Sequence, residues 1–185
     1  MHTPKNPSAS VSLHWYAVMV KSRHEKVVSA RLAAFAIVHY LPLQRELHRW
    51  SDRTQLVDVP LFPGYLFTRL DIYGSHRLNI LRTPGVVGVV ANQAGPLPIP
   101  DEQVESVEIA VNSGLEYWPT ETFQERDRVR VVRGPLTGIE GSCLRVGPKP
   151  QLVISIDLIG RSLSVSISDS DVELIERRAT KYAAS

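Results

Sequence analysis

Pro60-Leu61-Phe62-Pro63-Gly64-Tyr65-Leu66-Phe67-Thr68-Arg69-Leu70 is the stretch on which the fold turns. Pro-Gly suits a tight turn, and the residues after it alternate as in a β-strand. Tyr65 and Phe67 then share one face, and Leu66 and Leu70 the other. An aromatic pair on one strand face supplies a large area for burial at low entropic cost. On the strand alone, that face serves equally well as core or as docking surface.

Upstream, Trp15-Tyr16-Ala17-Val18-Met19-Val20 is rich in aromatic and β-branched residues and reads as a first strand. Between about His24 and Val38, Val28, Leu32 and Phe35 recur at helical spacing. Val27, Ala30 and Ala34 widen that apolar face, and Arg23, Lys26 and Arg31 fall mainly outside it. Extended segments follow over 39–47 and 55–59. The polar Arg49-Trp50-Ser51-Asp52-Arg53 between them reads as a hairpin tip from which Arg49 and Arg53 project together. Downstream come a short helix around Ser75 to Leu81, a Pro84-Gly85 break, and the apolar strand Val86-Val87-Gly88-Val89-Val90. Pro100-Asp101-Glu102 looks like a helix start with Asp101 as N-cap, and Val104, Val107 and Val111 continue at i, i+3 and i+7. This order predicts an α+β fold over residues 14–112, an antiparallel sheet with flanking helices.

Between Asn112 and Gln124 the periodicity stops, with Gly114 and Pro119 as breakers, which places an interdomain linker at 113–124. Beyond it the texture is all β. Runs at Val129–Val132, Ser142–Val146, Leu152–Ile156, Leu163–Ile167 and Val172–Ile175 predict a small five-stranded β-barrel at 125–178. Residues 1–13 and 179–185 are expected to be tails.

Composition narrows the function classes. A chain of 185 residues suits one large domain or two small ones, and 43% hydrophobic with 22% charged residues is too apolar for a wholly disordered chain. The only cysteine, Cys143, allows no internal disulfide and no CxxC metal cluster, as expected in a reducing cytoplasm. The opening residues hold no signal-type apolar core, and no apolar run approaches the roughly 20 residues of a membrane span. A cytoplasmic monomer without a membrane contact is expected. Net charge is only +2, so its distribution matters more than its sum. From Lys21 to Arg53 seven Lys or Arg face three acids, whereas Asp101 to Glu125 holds seven acids and no Lys or Arg. The first segment can meet phosphates and the second would repel them. The six histidines are scattered without HExxH or a comparable spacing, so no active site, metal or cofactor is expected.

The ordered motifs resemble one family. The Trp15-Tyr16 start, Phe62-Pro63-Gly64-Tyr65 leading into a strand and the Thr83-Pro84-Gly85-Val86 turn resemble the N-terminal domain of NusG-type transcription factors. The Gly134-Pro135-Leu136-Thr137-Gly138-Ile139-Glu140-Gly141 loop resembles that of a KOW domain. The resemblance covers about Trp15 to Ile175 and implies a non-enzymatic factor that binds the clamp helices of the RNA polymerase large subunit through an exposed apolar patch. Tyr65 and Phe67 match that patch, with Met19 a further match. His76, Arg77 and Asn79 match the short helix that approaches the other large subunit. Lys21, Arg23 and His24 occupy places where relatives of the RfaH kind touch the nontemplate DNA strand.

In the family the KOW domain binds a small-subunit ribosomal protein and, in NusG itself, the termination factor Rho. The positions matching that docking surface are Leu136, Ile139, Leu158, Ile159 and Arg161. NusG commonly carries phenylalanines where this chain has Leu136, Ile139 and Ile159, a departure that counts against Rho. The loop's glycines lack the Gly-Lys-Ser/Thr ending of a phosphate loop. RfaH refolds its second domain into helices, but Val153-Ile154-Ser155-Ile156 and Val165-Ser166-Ile167 favour a permanent barrel. From Arg126 to Arg178 nine basic residues meet seven acids, a balance that favours a protein partner over a ribosomal RNA surface. The altered loop and the polar tip at 49–53 point to a specialised paralogue of the RfaH or UpxY kind that promotes processive elongation and antitermination. A housekeeping factor supporting Rho-dependent termination is the alternative.

Overall fold

The computed structural model describes residues 12–49, 54–120, 127–146 and 149–176. In chain order the first half comprises β1 (His14–Val20), α1 (Glu25–Ala34), β2 (His39–Tyr40), β3 (Leu43–Arg49), β4 (Thr54–Pro60), β5 (Tyr65–Leu70), α2 (His76–Arg82), β6 (Val86–Val89), β7 (Ala91–Asn92), β8 (Gly95–Pro96), β9 (Pro98–Ile99) and α3 (Asp101–Asn112). Strands β2-β5-β1-β6 form one antiparallel sheet, with β9 also on β1. Strands β3 and β4 make a separate two-stranded ribbon that leaves Leu47 and Leu56, directly opposite each other, exposed. Of the expected tip at 49–53, residues 50–53 lie outside the described residues, as do residues 1–11 of the expected first tail and all of the expected last tail at 179–185.

The register explains why both faces of β5 are apolar. Met19 pairs with Tyr65, Ala17 with Phe67 and Trp15 with Arg69, and these share a face; Val18 with Leu66 and His14 with Leu70 share the other. Behind the second face α1 and α2 close a core of Tyr16, Val18, Val28, Leu32, Leu66, Leu70 and Ile80. On the first face α3 buries Val104, Val107 and Ala110 in one cluster with Trp15, Ala17, Phe62, Phe67 and Ile99.

Helix α1 departs from the expected pattern. It stops at Ala34, Ala36 takes a left-handed φ of 54°, and Phe35 turns out to solvent at 49% exposure. Val27, Ala30 and Ala34, expected to widen the apolar face, are exposed too, because a single sheet face fills only the Val28–Leu32 stripe. Asp101 is the first helical residue of α3 and caps nothing with its side chain; its carboxylate instead accepts from the Arg69 guanidinium at 2.6 Å, tying the helix start to β5.

The C-terminal half holds the five expected strands, β11 (Asp127–Val131), β12 (Glu140–Val146), β13 (Lys149–Ile156), β14 (Arg161–Ser166) and β15 (Val172–Glu176), and adds a sixth before them, β10 (Tyr117–Thr120). The order is β10-β14-β13-β12-β11-β15. The stretch read as linker therefore supplies a strand. Four residues, Ser113 to Glu116, are all that separate α3 from it. Pro119 hid that strand from sequence reading, although an edge strand tolerates a proline. Val129, Val131, Leu152, Ile154, Ile156, Leu163 and Val165 are buried inside the sheet, in the same apolar cluster as Trp15, Phe67 and α3. The two halves thus share a continuous core. Polar contacts join them as well: Gln103 on α3 donates to the Asp157 carboxylate at 2.9 Å and accepts from its N–H at 3.1 Å. The Tyr117 hydroxyl donates to the Leu43 carbonyl at 3.2 Å.

Candidate functional site

The end of the sheet formed by β1, β5 and β6 gathers most of the N-terminal candidates. Met19 and Tyr65 are direct cross-strand neighbours, both half-buried, and Met19 also pairs with Gly88 on β6. They form the open end of the first sheet face. Phe67, expected beside Tyr65 in an exposed patch, is fully buried. Its ring stacks on Tyr40 at a centroid separation of 6.5 Å and meets Phe62 edge-on at 6.1 Å. The strand alternation was right and the exposure wrong, because α3 and the flanking aromatics cover that part of the face. Burial pushes the Tyr40 phenol well above its ordinary value, with Glu108 and Tyr117 adding to the shift. Burial also raises Tyr117, where Asp58 works in the same direction and Arg45 opposes.

At the strand end, Lys21, Arg23 and His24 are all exposed on the short connection into α1. Two glycine turns hold this connection. The Lys21 N–H donates to the Gly85 carbonyl at 2.8 Å, and the Val20 N–H to the Gly64 carbonyl at 2.9 Å. Gly85 has φ 103°, and a Cβ there would stand 3.0 Å from Val28 and 3.1 Å from His24, so only glycine fits. Arg23 sits at φ 62°, a left-handed conformation that costs a non-glycine residue about 1–3 kcal/mol. The bracing on both sides holds it there and throws its cation outward. Below it Glu25 is buried at 4% exposure and accepts the Gly64 N–H at 2.8 Å. One carboxylate thus fastens the Pro63–Gly64 turn, and with it Tyr65, to the root of the basic connection. Sequence reading passed over Glu25; its signal was a lone acid among Lys21, Arg23, Lys26 and Arg31. Arg31 joins the same end, donating to the Pro84 carbonyl at 2.8 Å.

His76 and Asn79 are exposed and Arg77 half-exposed on α2, whose Ile80 is the buried anchor. Since α2 packs on the second sheet face and Met19 and Tyr65 lie on the first, the two sets look outward from opposite sides of one sheet. Among the described residues no group of three His, Cys, Asp or Glu could hold a metal ion, and no helix is long and apolar enough to cross a membrane.

A family model described as "Transcription termination factor nusG" matches residues 13–108. The chain belongs to the NusG family. Members of the NusG family are transcription factors without enzymatic activity. Relatives named "Transcription termination/antitermination protein NusG" cover most of the chain. The Thermus thermophilus protein is 28% identical, covering 88% of this chain and 98% of that protein. The Borreliella burgdorferi protein is 25% identical, covering 89% and 100%. In fold the chain is similar to the solved structure described as "Domain interaction in Thermotoga maritima NusG", with a TM-score of 0.53, 22% identity, and coverage of 89% of this chain and 98% of that one.

For this NusG-family chain the C-terminal candidates divide. Leu136 and Ile139, expected to dock a partner, are buried within the C-terminal core at 1% and 4% exposure, because the loop from Gly134 folds back over the sheet and turns both side chains inward. Gly134, Pro135, Thr137 and Gly138 are what the loop exposes. Leu158, Ile159 and Arg161 remain half-exposed at the single-turn helix Asp157–Ile159 and the start of β14, and the two aliphatic residues pack against the shared core.

Proposed function

We propose that this chain binds RNA polymerase across its clamp and promotes processive elongation and antitermination, as a specialised NusG paralogue of the cytoplasm. The observation that carries the reading is the three-sided arrangement at one sheet end. Met19 and Tyr65 are on one face, the cations of Lys21, Arg23 and His24 at the strand end, and His76, Arg77 and Asn79 on the opposite face. A rigid element with contacts on two sides can bridge two walls of a cleft. Binding the closed cleft better than the open, paused one shifts that equilibrium without chemistry. The basic strand end between them faces the place a nontemplate DNA strand would take, where phosphates meet Lys21 and Arg23.

The paralogue reading is favoured over the housekeeping one by the C-terminal half. From Asp127 to Glu176 there is no Phe, Tyr or Trp, and the loop's aliphatic pair is turned inward, so no aromatic anchor is offered to Rho. Leu158 and Ile159 remain for a small-subunit ribosomal protein, at the turn that also touches α3.

Elongation assays with purified polymerase test both levels. Shorter pauses and less Rho-dependent termination are expected; enhanced Rho action would replace the paralogue reading with the housekeeping one. Tyr65→Ala is expected to weaken polymerase binding by about 2 kcal/mol, roughly thirtyfold. Unchanged affinity in a Met19→Ala/Tyr65→Ala double variant of native stability would remove this face from the interface.

A further inference from the structure

Strand β10 is held from both sides of the boundary between the two halves. Its main chain pairs with β14, Tyr117 opposite Val165, Trp118 opposite Ser164, Pro119 opposite Leu163 and Thr120 opposite Ser162. Its Tyr117 hydroxyl reaches back to the Leu43 carbonyl of the N-terminal half, and the Tyr117 ring packs on the shared core.

The phase of the ladder follows from its last rung. The Ser166 N–H donates to the Glu116 carbonyl, while the Ile167 N–H donates to Pro150 on the β13 side. Even-numbered amides of β14 therefore face β10 and odd-numbered ones face β13. Trp118 with Ser164, and Thr120 with Ser162, are the pairs that exchange N–H···O bonds. Pro119 stands at a position where β14 asks for no N–H, so a proline sits in the strand without breaking a rung. Four residues with two exchange pairs make a weak ladder, and without β10 the edge of β14 is an open row of donors and acceptors.

We propose that β10 is a releasable strap: the separation of the two halves and the uncovering of the β14 edge are one event, because Tyr117–Thr120 belongs to both contacts. The strap does not depend on polymerase binding. It links two places that share no atoms, the β10–β14 ladder and the Gln103–Asp157 pair on α3, and linked equilibria move together whichever is perturbed.

Amide hydrogen exchange on the full-length chain tests it. Gln103→Ala removes the α3 contact without touching β10, and faster exchange of the Asp157 N–H, which donates to Gln103, reports that the contact is broken. The strap predicts that the Ser162 and Ser164 amides then speed up about fivefold per net hydrogen bond lost, while Leu163 and Val165, facing β13, stay unchanged. Conversely Tyr117→Phe, which removes only the hydroxyl, is expected to accelerate Asp157 as well as Ser162 and Ser164. The proposal is overturned if each variant loosens its own contact only, with Gln103→Ala speeding Asp157 and leaving Ser162 and Ser164 at wild-type rates.

Discussion

Replacing Phe67 by alanine separates a core residue from a docking residue. The side chain is fully buried, opposite Ala17 on the central strand and in contact with the Tyr40 and Phe62 rings. Truncating a buried phenylalanine costs about 3–5 kcal/mol through lost transfer energy and the cavity left behind. The edge-on and stacked ring pairs each hold about 0.5–1.5 kcal/mol beyond area. Part of that is inside the truncation figure, so about 4 kcal/mol is expected for Phe67→Ala, against about 1 kcal/mol for half-buried Tyr65→Ala. In a chain of this length 1 kcal/mol moves Tm by about 2–4 °C, so Phe67→Ala is expected to melt about 8–16 °C lower. Urea unfolding of the full chain measures the free energy directly, with Phe67→Leu, which keeps most of the volume, losing less than about 1.5 kcal/mol. A Phe67→Ala loss below about 1.5 kcal/mol, equal to or smaller than that of Tyr65→Ala, would refute the burial argument and return Phe67 to the surface.

Glu25→Ala orphans the Gly64 N–H and is expected to cost about 1–3 kcal/mol, with faster exchange at that amide; Glu25→Gln, which keeps an acceptor, should restore most of the protection. At Gly141 a Cβ would stand 2.6 Å from the Val153 carbonyl oxygen, so Gly141→Ala should destabilise the C-terminal sheet by about 1–3 kcal/mol in thermal unfolding. Folding raises the Tyr40 and Tyr117 phenols above 10, so the folded chain holds those protons more tightly than the unfolded one. That stability is present below pH 10 and lost as pH climbs past it, which a denaturation series in alkaline buffers should show, less steeply for Tyr40→Phe. Asp101→Asn weakens a half-exposed ion pair with Arg69 and is expected to cost under about 1 kcal/mol, less in high salt.

Period-two alternation at Tyr65–Leu70 and the β-branched runs after Asp127 announced their strands because side chains fix those patterns locally. Burial was less legible. Which face of a strand stays open depends on what arrives from elsewhere in the chain, and α3, some forty residues downstream, decides it for Phe67. Leu136 and Ile139 misled for the same reason, since a loop written as exposed glycine turns can still fold its two aliphatic residues inward. Phe35 failed at a helix end, where one left-handed residue redirects the chain. In β10, Pro119 read as a breaker, and only the partner strand shows that its missing N–H points away from the ladder. Of the site, the cations of 21–24 were legible from charge; the buried acid that anchors their loop was not, because a hydrogen bond to Gly64 spans 39 positions.

The short run between α3 and β10 sets a length scale. Four residues, Ser113 to Glu116, can span at most about 14 Å, so while β10 is zipped the C-terminal sheet is leashed against the N-terminal half. Should β10 lift, the leash extends to the start of β11, a contour of about 14 residues and up to about 50 Å. The second half then samples a far larger volume, and its effective concentration at its own docking face falls steeply, as expected when a tether outgrows the gap it must bridge. The same covalent chain thus has two reaches, about 14 Å while β10 is paired and up to about 50 Å once it lifts.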